Sequence, residues 1–190
     1  MLDIDFGADV ASGPFLSWSA NGSHDGSIAP RSFSLRTRDG KEPVDLNKGA
    51  IVDVRSLQTG WQRSDGLSGQ APEWLWNDAP SRFRAKPEGD GWKRGFRLPV
   101  ALGGDRRVVW EQAGAGAWEA IKRFIVQLND LPADKMPVAR LKDVEVLKFA
   151  RGGTVVPILE CVKYVSPPAC LTDDAQDVAP ADSKDDDLEF

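Results

Sequence analysis

Residues suited to acid–base, metal or thiol chemistry are scarce in this chain of 190 residues. It has two cysteines, Cys161 and Cys170, and one histidine, His24. Structural zinc normally takes four Cys or His ligands, and the chain holds three such residues in all. Two cysteines do not make a disulfide framework, so we expect both to be reduced thiols. The sequence therefore assigns no catalytic residue, no metal and no cofactor, and it does not predict an enzyme.

Long apolar runs are also absent. No stretch approaches the roughly 20 apolar residues that a membrane span requires. Residues 1–5, MLDID, are acidic and lack the apolar segment of a signal peptide. We therefore expect a cytoplasmic protein that does not bind membranes.

Charge is divided unevenly along the chain. Residues 172–190 hold eight acidic residues and one basic residue, Lys184. Residues 1–171 hold 21 acidic and 23 basic residues, so the body is weakly basic although the net charge of the chain is −5. Such a split is typical of nucleic-acid contact combined with an acidic interaction tail.

Alternating apolar residues and turn signals predict a mainly β chain with one α-helix. Short apolar or alternating runs predict strands before residue 112 and two more between residues 142 and 165. An apolar stripe predicts a helix over residues 114–129. Its members are Trp118, Ile121, Phe124, Ile125 and Leu128. Strands, one helix and two further strands suit the five-stranded Greek-key barrel of the OB-fold, and a small β-sandwich with one helix is the alternative.

The chain is predicted to have three parts. Residues 1–30 form an N-terminal extension or arm, and residues 31–171 form the OB-fold-like nucleic-acid-binding domain. Residues 172–190 form a disordered acidic tail, because the apolar content falls after Pro167 and Pro168. By analogy with other barrels, a homodimer formed through a strand edge or through residues 1–18 is an open alternative.

Aromatic and basic residues are interleaved between residues 61 and 110, where five of the seven tryptophans lie. Nucleic-acid bases stack on aromatic rings for about 1–3 kcal/mol each, and cations follow the phosphates, both without regard to sequence. This segment therefore predicts a surface for single-stranded DNA. The predicted DNA-binding residues are Trp61, Trp76, Arg82, Phe83, Arg84, Lys86, Trp92, Lys93, Arg94, Phe96, Arg97 and Arg107.

Two alternatives stay open. Tryptophan is highly buried on average, so the aromatic residues could be core residues of a protein-interaction module that binds no DNA. A Mg²⁺-dependent nuclease would need clustered carboxylates, and Asp45, Asp53 and Glu73 have no spacing that singles them out. Asp53 lies among apolar residues, and an ion pair with Arg55 or Arg97 is the expected reason.

The chain ends on an acidic run joined to an aromatic residue, Asp185-Asp186-Asp187-Leu188-Glu189-Phe190. This ending resembles the tail of bacterial and phage single-stranded DNA-binding proteins, whose terminal hydrophobic pair docks on partner proteins. Glu189 departs from the bacterial pattern, which has proline there, and the body looks more like divergent phage members of the family. The resemblance implies a non-enzymatic protein of replication or recombination, in the host cytoplasm if phage-encoded. Its tail would recruit replication or recombination proteins through the three aspartates, Leu188 and Phe190, and would compete with DNA.

Overall fold

The computed structural model describes residues 14–37, 40–64, 71–79, 82–149 and 152–172. In these ranges the chain forms ten β-strands and two α-helices, with two short 3₁₀ turns around β4. The strands are β1 (Phe15–Ser19), β2 (Ser32–Thr37), β3 (Gly40–Val44), β4 (Ala50–Val52), β5 (Gln58–Arg63), β6 (Glu73–Trp76), β7 (Lys93–Leu102), β8 (Arg106–Ala113), β9 (Met136–Phe149) and β10 (Gly152–Val165). The helices are α1 (Ala115–Val126) and α2 (Ala169–Thr172). The mainly β class is confirmed, with ten strands in place of the expected five.

The strands form one curled, open sheet. Its order is β10-β9-β4-β7-β8-β1-β2-β3, while β5 pairs with the first half of β7 and β6 pairs with β5. Neighbouring strands are antiparallel except β1 and β8, which are parallel. The sheet curls around α1, which packs on β10 at one edge and on β7 and β8 in the middle. Across this half-barrel, Trp18 Nε1 of β1 donates a hydrogen bond to the carbonyl oxygen of Val155 on β10 at 3.0 Å.

The inner, concave face of the sheet holds the hydrophobic core. Phe96 and Leu98 of β7 are 0% exposed, whereas Arg97 between them reaches the outer face. Trp110 of β8 meets Phe96 and Phe33 edge-to-face, with ring centroids 4.9 and 5.4 Å apart. The alternation predicted for residues 92–102 is therefore confirmed.

Helix α1 fills the concave side. Ile121 and Phe124 of the predicted apolar stripe are buried, together with Ala117 outside it, and the helix ends at Val126 rather than near residue 129. Gly116 allows close packing on β10, because a Cβ atom built there would lie 2.7 Å from the carbonyl oxygen of Val155. The stripe thus predicted the helix and its buried side, and the glycine sets its distance from the sheet.

Three features of the sheet differ from the sequence expectation or extend it. β1 lies inside the segment expected to be an N-terminal extension, yet it pairs with both β2 and β8. β3 and β5 have no predicted counterpart. Thr59 and Gly60, which interrupt the apolar pattern of the sequence, lie within β5. Of the predicted tail, only Thr172 is described, as the last residue of α2. Residues 173–190 lie outside the described ranges.

Candidate nucleic-acid interface

The predicted DNA-binding residues divide between the two faces of the sheet. On β7, Arg94 and Phe96 lie on the inner side, whereas Lys93 and Arg97 lie on the outer side, as strand alternation requires. Trp61 pairs with Arg94 across β5 and β7 and is therefore on the inner side. Phe96 is 0% exposed in the core, so its ring offers no face to a base, contrary to its place in the predicted set. The predicted residues do not form one groove.

Two inner tryptophans hold the loop of residues 82–91 in place. Trp61 Nε1 donates to the carbonyl oxygen of Arg84 at 3.0 Å, and Trp92 Nε1 donates to that of Glu88 at 3.1 Å. Both side chains are buried, with 8% of each residue exposed. A buried indole N–H normally finds a partner, and here both partners are loop carbonyls. Their rings therefore act as supports of the loop and have no free face for a base.

Phe83 connects this loop to the helix. Its ring makes edge-to-face contacts with Trp61 and Trp118, with centroids 5.5 and 5.4 Å apart. The Arg94 guanidinium lies over the same cluster, 5.4 Å from the Phe83 ring centroid and 5.7 Å from that of Trp61. Phe83 and Trp118 are half-buried and Arg94 is exposed. Trp118 was missed as a neighbour of the site, because its position on the helix stripe indicates only a core residue.

The loop presents basic side chains to solvent. Arg82, Arg84 and Lys86 are exposed. Arg84 lies 3.2 Å from Asp78, whose carboxylate is itself largely exposed, so the pair is weakly held. Among the residues that the structure describes, Arg82 and Lys86 form no ion pair. The loop therefore presents two exposed positive charges that have no ion-pair partner among the described residues.

The outer face carries a second aromatic group, the tryptophan pair, formed by Trp74 and Trp76 of β6. Their rings stack with centroids 4.2 Å apart and planes 8° from parallel, and both residues are half-buried. Gly95 makes room for them, because a Cβ atom there would lie 2.7 Å from the Trp74 ring. Arg97 covers the pair, its guanidinium 5.2 Å from the Trp76 centroid, while its Nε donates to Glu111 at 2.7 Å.

The remaining polar groups around the pair face outward or lack partners. Lys93 is exposed and stands in the same cross-strand row as Trp74, because both pair with Gln62 of β5. The Trp74 Nε1 atom is buried without a hydrogen-bond partner among the described residues. A buried unpaired donor costs about 1–3 kcal/mol, so this N–H destabilises the fold where it lies. Trp74 was not in the predicted set, although it shares the face of Trp76, because a strand pattern alone does not tell that the two rings stack outside the core.

Arg107 lies apart from the other predicted residues. It pairs with Ala101 near the far end of β7, on the outer face, and its side chain is exposed. The structure therefore places Trp76, Lys93, Arg97 and Arg107 on the outer face, and Arg107 at a distance from the tryptophan pair.

The buried carboxylate at Asp53 is a backbone cap. Its side chain accepts hydrogen bonds from the backbone N–H groups of Arg55 and Ser56 at 3.2 and 3.3 Å. The expected ion pair is wrong, because the Arg55 guanidinium donates to two backbone carbonyls after α1 and Arg97 pairs with Glu111. Across the described ranges, no group of three or more His, Cys, Asp or Glu side chains is placed to hold a metal ion.

The chain matches no protein-family model, no curated protein and no solved structure. None of the helices in the described ranges is long and apolar enough to cross a membrane. The predicted tail residues Asp185, Asp186, Asp187, Leu188 and Phe190 lie outside those ranges. The candidate interface therefore rests on its geometry alone.

Proposed function

We propose that this chain binds single-stranded DNA without sequence preference and that the tryptophan pair is its stacking platform. The observation that supports this proposal is the layered arrangement of Arg97, Trp76 and Trp74 on the outer face. Half-exposed aromatic rings beside cations are what a single strand needs, since its bases stack on the rings and its phosphates follow the positive charges. Lys93, beside Trp74, supplies a charge for a phosphate.

The inner aromatic residues have a supporting role in this proposal. Trp61 and Trp92 use their indole N–H groups to fix the loop of residues 82–91, and the loop presents Arg82 and Lys86. A loop held at two points loses less conformational entropy when it meets a ligand. Arg94 and Phe83 provide a second, smaller contact on that side of β5.

The finer fold and the biological role belong to the same proposal. An OB-fold binds single strands on a curled β surface, and this chain has a curled sheet with a helix inside it. The ten-strand order gives the five-stranded Greek-key barrel no direct support, so the proposal rests on the surface and not on the fold. Together with the resemblance of the last six residues to the family tail, it suggests a non-enzymatic role in phage or bacterial replication or recombination.

The acidic tail is proposed to compete with DNA and to recruit replication or recombination proteins. The described chain ends at Thr172 in α2, which packs against β7 and β8, two strands that carry the proposed surface. Residues 173–190 hold eight acidic residues and one basic residue. Removing them leaves α2 intact and should tighten DNA binding, most at low salt, where screening is weakest. Unchanged affinity at low salt would contradict the competition.

Intrinsic tryptophan fluorescence during titration with oligo-dT tests the binding itself. We expect quenching, because a base stacked on Trp74, the outer ring of the Arg97–Trp76–Trp74 layers, changes the surroundings of the tryptophan pair. A gel shift with the same oligonucleotide gives an independent measurement. Neither quenching nor a shift would contradict the proposal and favour a protein-interaction module. Metal-dependent loss of the labelled strand would instead favour a nuclease.

A further inference from the structure

Basic residues also line the outer face far from the tryptophan pair. Cross-strand pairing places Lys41 beside Arg36, Arg36 beside Phe15, Phe15 beside Val109 and Val109 beside Pro99. These five residues therefore form one row across β3, β2, β1, β8 and β7. Side chains in such a row share a face, and this row is on the outer face, opposite the core. We call it the outer row.

The charges of the outer row are exposed and of one sign. Arg36 and Lys41 are exposed, while their neighbour Leu35 points into the core and is 0% exposed. Arg107, two residues before Val109 on β8, adds a third exposed base on the same face. In the part of the chain that the structure describes, the ion pairs involve other basic residues, and none of these three takes part. Half-buried Phe15 lies between them.

A depression borders the row beside Arg36 and Lys41. It has a volume of about 650 Å³ and is also lined by Ser23 and His24. Asp25 lines it as well, and hydrogen bonds from serine hydroxyls on either side of it lower the pKa of its carboxyl to about 2. Near neutral pH the depression therefore holds two cations against one carboxylate that is already satisfied by hydrogen bonds. This balance fits an anionic ligand.

We propose that the outer row, together with Arg107, is a second phosphate-contact surface for the same single strand. The strand would then contact both the tryptophan pair on β6 and the exposed bases of β8, β2 and β3. Strands in a sheet lie about 4.8 Å apart, so Arg107 on β8 and Lys41 on β3 are separated by roughly 14 Å across the sheet. Successive phosphates of an extended strand reach over such a distance. This inference rests on the proposed DNA binding and adds to it a second contact.

The test compares two charge-neutralising triple variants. Arg36→Gln with Lys41→Gln and Arg107→Gln removes the proposed contacts. Lys48→Gln with Lys148→Gln and Lys163→Gln is the control, since these lysines are exposed and lie on the 3₁₀ turn before β4 and on β9 and β10. Both variants change the net charge equally and alter only exposed side chains. Thermal unfolding followed by circular dichroism verifies that both keep the wild-type fold.

The readout is the salt dependence of binding to oligo-dT of two lengths. With a strand of about 30 nucleotides, longer than the roughly 4–16 that one such domain occupies, the first variant should lose affinity. Its slope of log K against log salt should become shallower by about 2, at about 0.7 for each lost phosphate contact. A strand of about three nucleotides, shorter than the roughly 4–16 that one such domain occupies, can cover little more than the tryptophan pair and should bind both variants like the wild type.

The possible outcomes separate this inference from the proposed function. If the wild type binds both oligonucleotides and the two triple variants have equal slopes, the outer row contacts no phosphate and the inference is wrong. If the first variant loses the short oligonucleotide as well, the row belongs to the primary site and is not a second surface. If the wild type binds neither length, the proposed function itself fails. If the wild type binds an acidic protein and the first variant does not, the row recognises protein instead of DNA, and the inference is overturned.

Discussion

Two groups of aromatic residues lie on opposite sides of β5, and they differ in how their indole N–H groups are used. On the inner side, Trp61 and Trp92 are nearly buried and donate to loop carbonyls. On the outer side, Trp74 and Trp76 stack on each other, half-buried, and the Trp74 N–H has no partner among the described residues. All four come from the same aromatic and basic segment of the sequence. Burial and hydrogen bonding, and not composition, separate a scaffold from a candidate site.

The largest expected effect is the loss of stability when a core residue on the inner face is truncated. Phe96→Ala should lower the free energy of unfolding by about 3–5 kcal/mol, because it removes a fully buried ring and leaves a cavity beside Trp110. Denaturant unfolding measures the loss. Oligo-dT binding by the fraction that stays folded should not change. Weaker DNA binding at unchanged stability would show that the ring belongs to the site after all.

On the outer side, Trp74→Ala should act on binding more than on folding, because Trp76 lies between Trp74 and Arg97 and only Trp74 can offer a ring face to a base. Loss of one stacking ring should weaken oligo-dT binding by about 1–3 kcal/mol, or roughly 5- to 150-fold. Fluorescence anisotropy of a labelled oligonucleotide measures the affinity. The matched control is Trp61→Ala, the same truncation on the inner side, and denaturant unfolding of both variants separates lost binding from lost stability. Equal losses in the two variants would remove the distinction between the faces.

A smaller effect is expected when only the indole N–H is removed. Trp92→Phe keeps a ring beneath Arg63, whose guanidinium lies 4.8 Å from the Trp92 centroid, but it loses the hydrogen bond to Glu88. The free energy of unfolding should fall by about 1 kcal/mol. Hydrogen exchange should become faster in residues 82–91 and stay unchanged in α1. If exchange in the loop is unaltered, the bond does not hold the loop.

The smallest effect concerns Asp25, at the edge of the outer face. Its pKa is lowered from 3.8 to about 2, mainly by hydrogen bonds from Ser23 and Ser27. A lowered folded-state pKa stabilises the fold above the unfolded value, and that contribution is lost as the pH falls from about 4 towards 2. The stability difference between the wild type and Asp25→Asn should therefore be constant near neutral pH and shrink over that window. A difference that is independent of pH would contradict the assigned hydrogen bonds.

Much of the secondary structure follows from local pattern, whereas the arrangement of the sheet does not. The stripe of α1 and the alternation of β7 were predictable, because each depends on residues close in sequence. The pairing of β1 with β8 joins distant segments, so an apparent N-terminal extension became a strand inside the sheet. β5 was missed because Gly60, which the packing of β6 requires, looks like a break in a strand.

The candidate site was predictable only as a region. The sequence pointed to residues 61–110, and Trp76, Lys93 and Arg97 do meet on one face. It left out Trp74, although this residue shares a face with Trp76, and it could not exclude Phe96, because alternation assigns residues to two faces without telling which one is covered by α1. Only the curl of the sheet around the helix decides that.

The bond from Trp18 to Val155 has a consequence for how the chain acquires its fold. It ties the first strand to the last hairpin across 137 positions of sequence. Contacts of such high sequence separation form late, because loop-closure entropy is lost before they stabilise anything. During synthesis β1 can pair with β2 at once, whereas its pairing with β8 and its bond to β10 form only after those strands have been made. A nascent chain that stops before residue 155 already holds Trp18, Phe33, Phe96 and Trp110 but lacks the acceptor of this bond, so the final hairpin is the step that completes the fold.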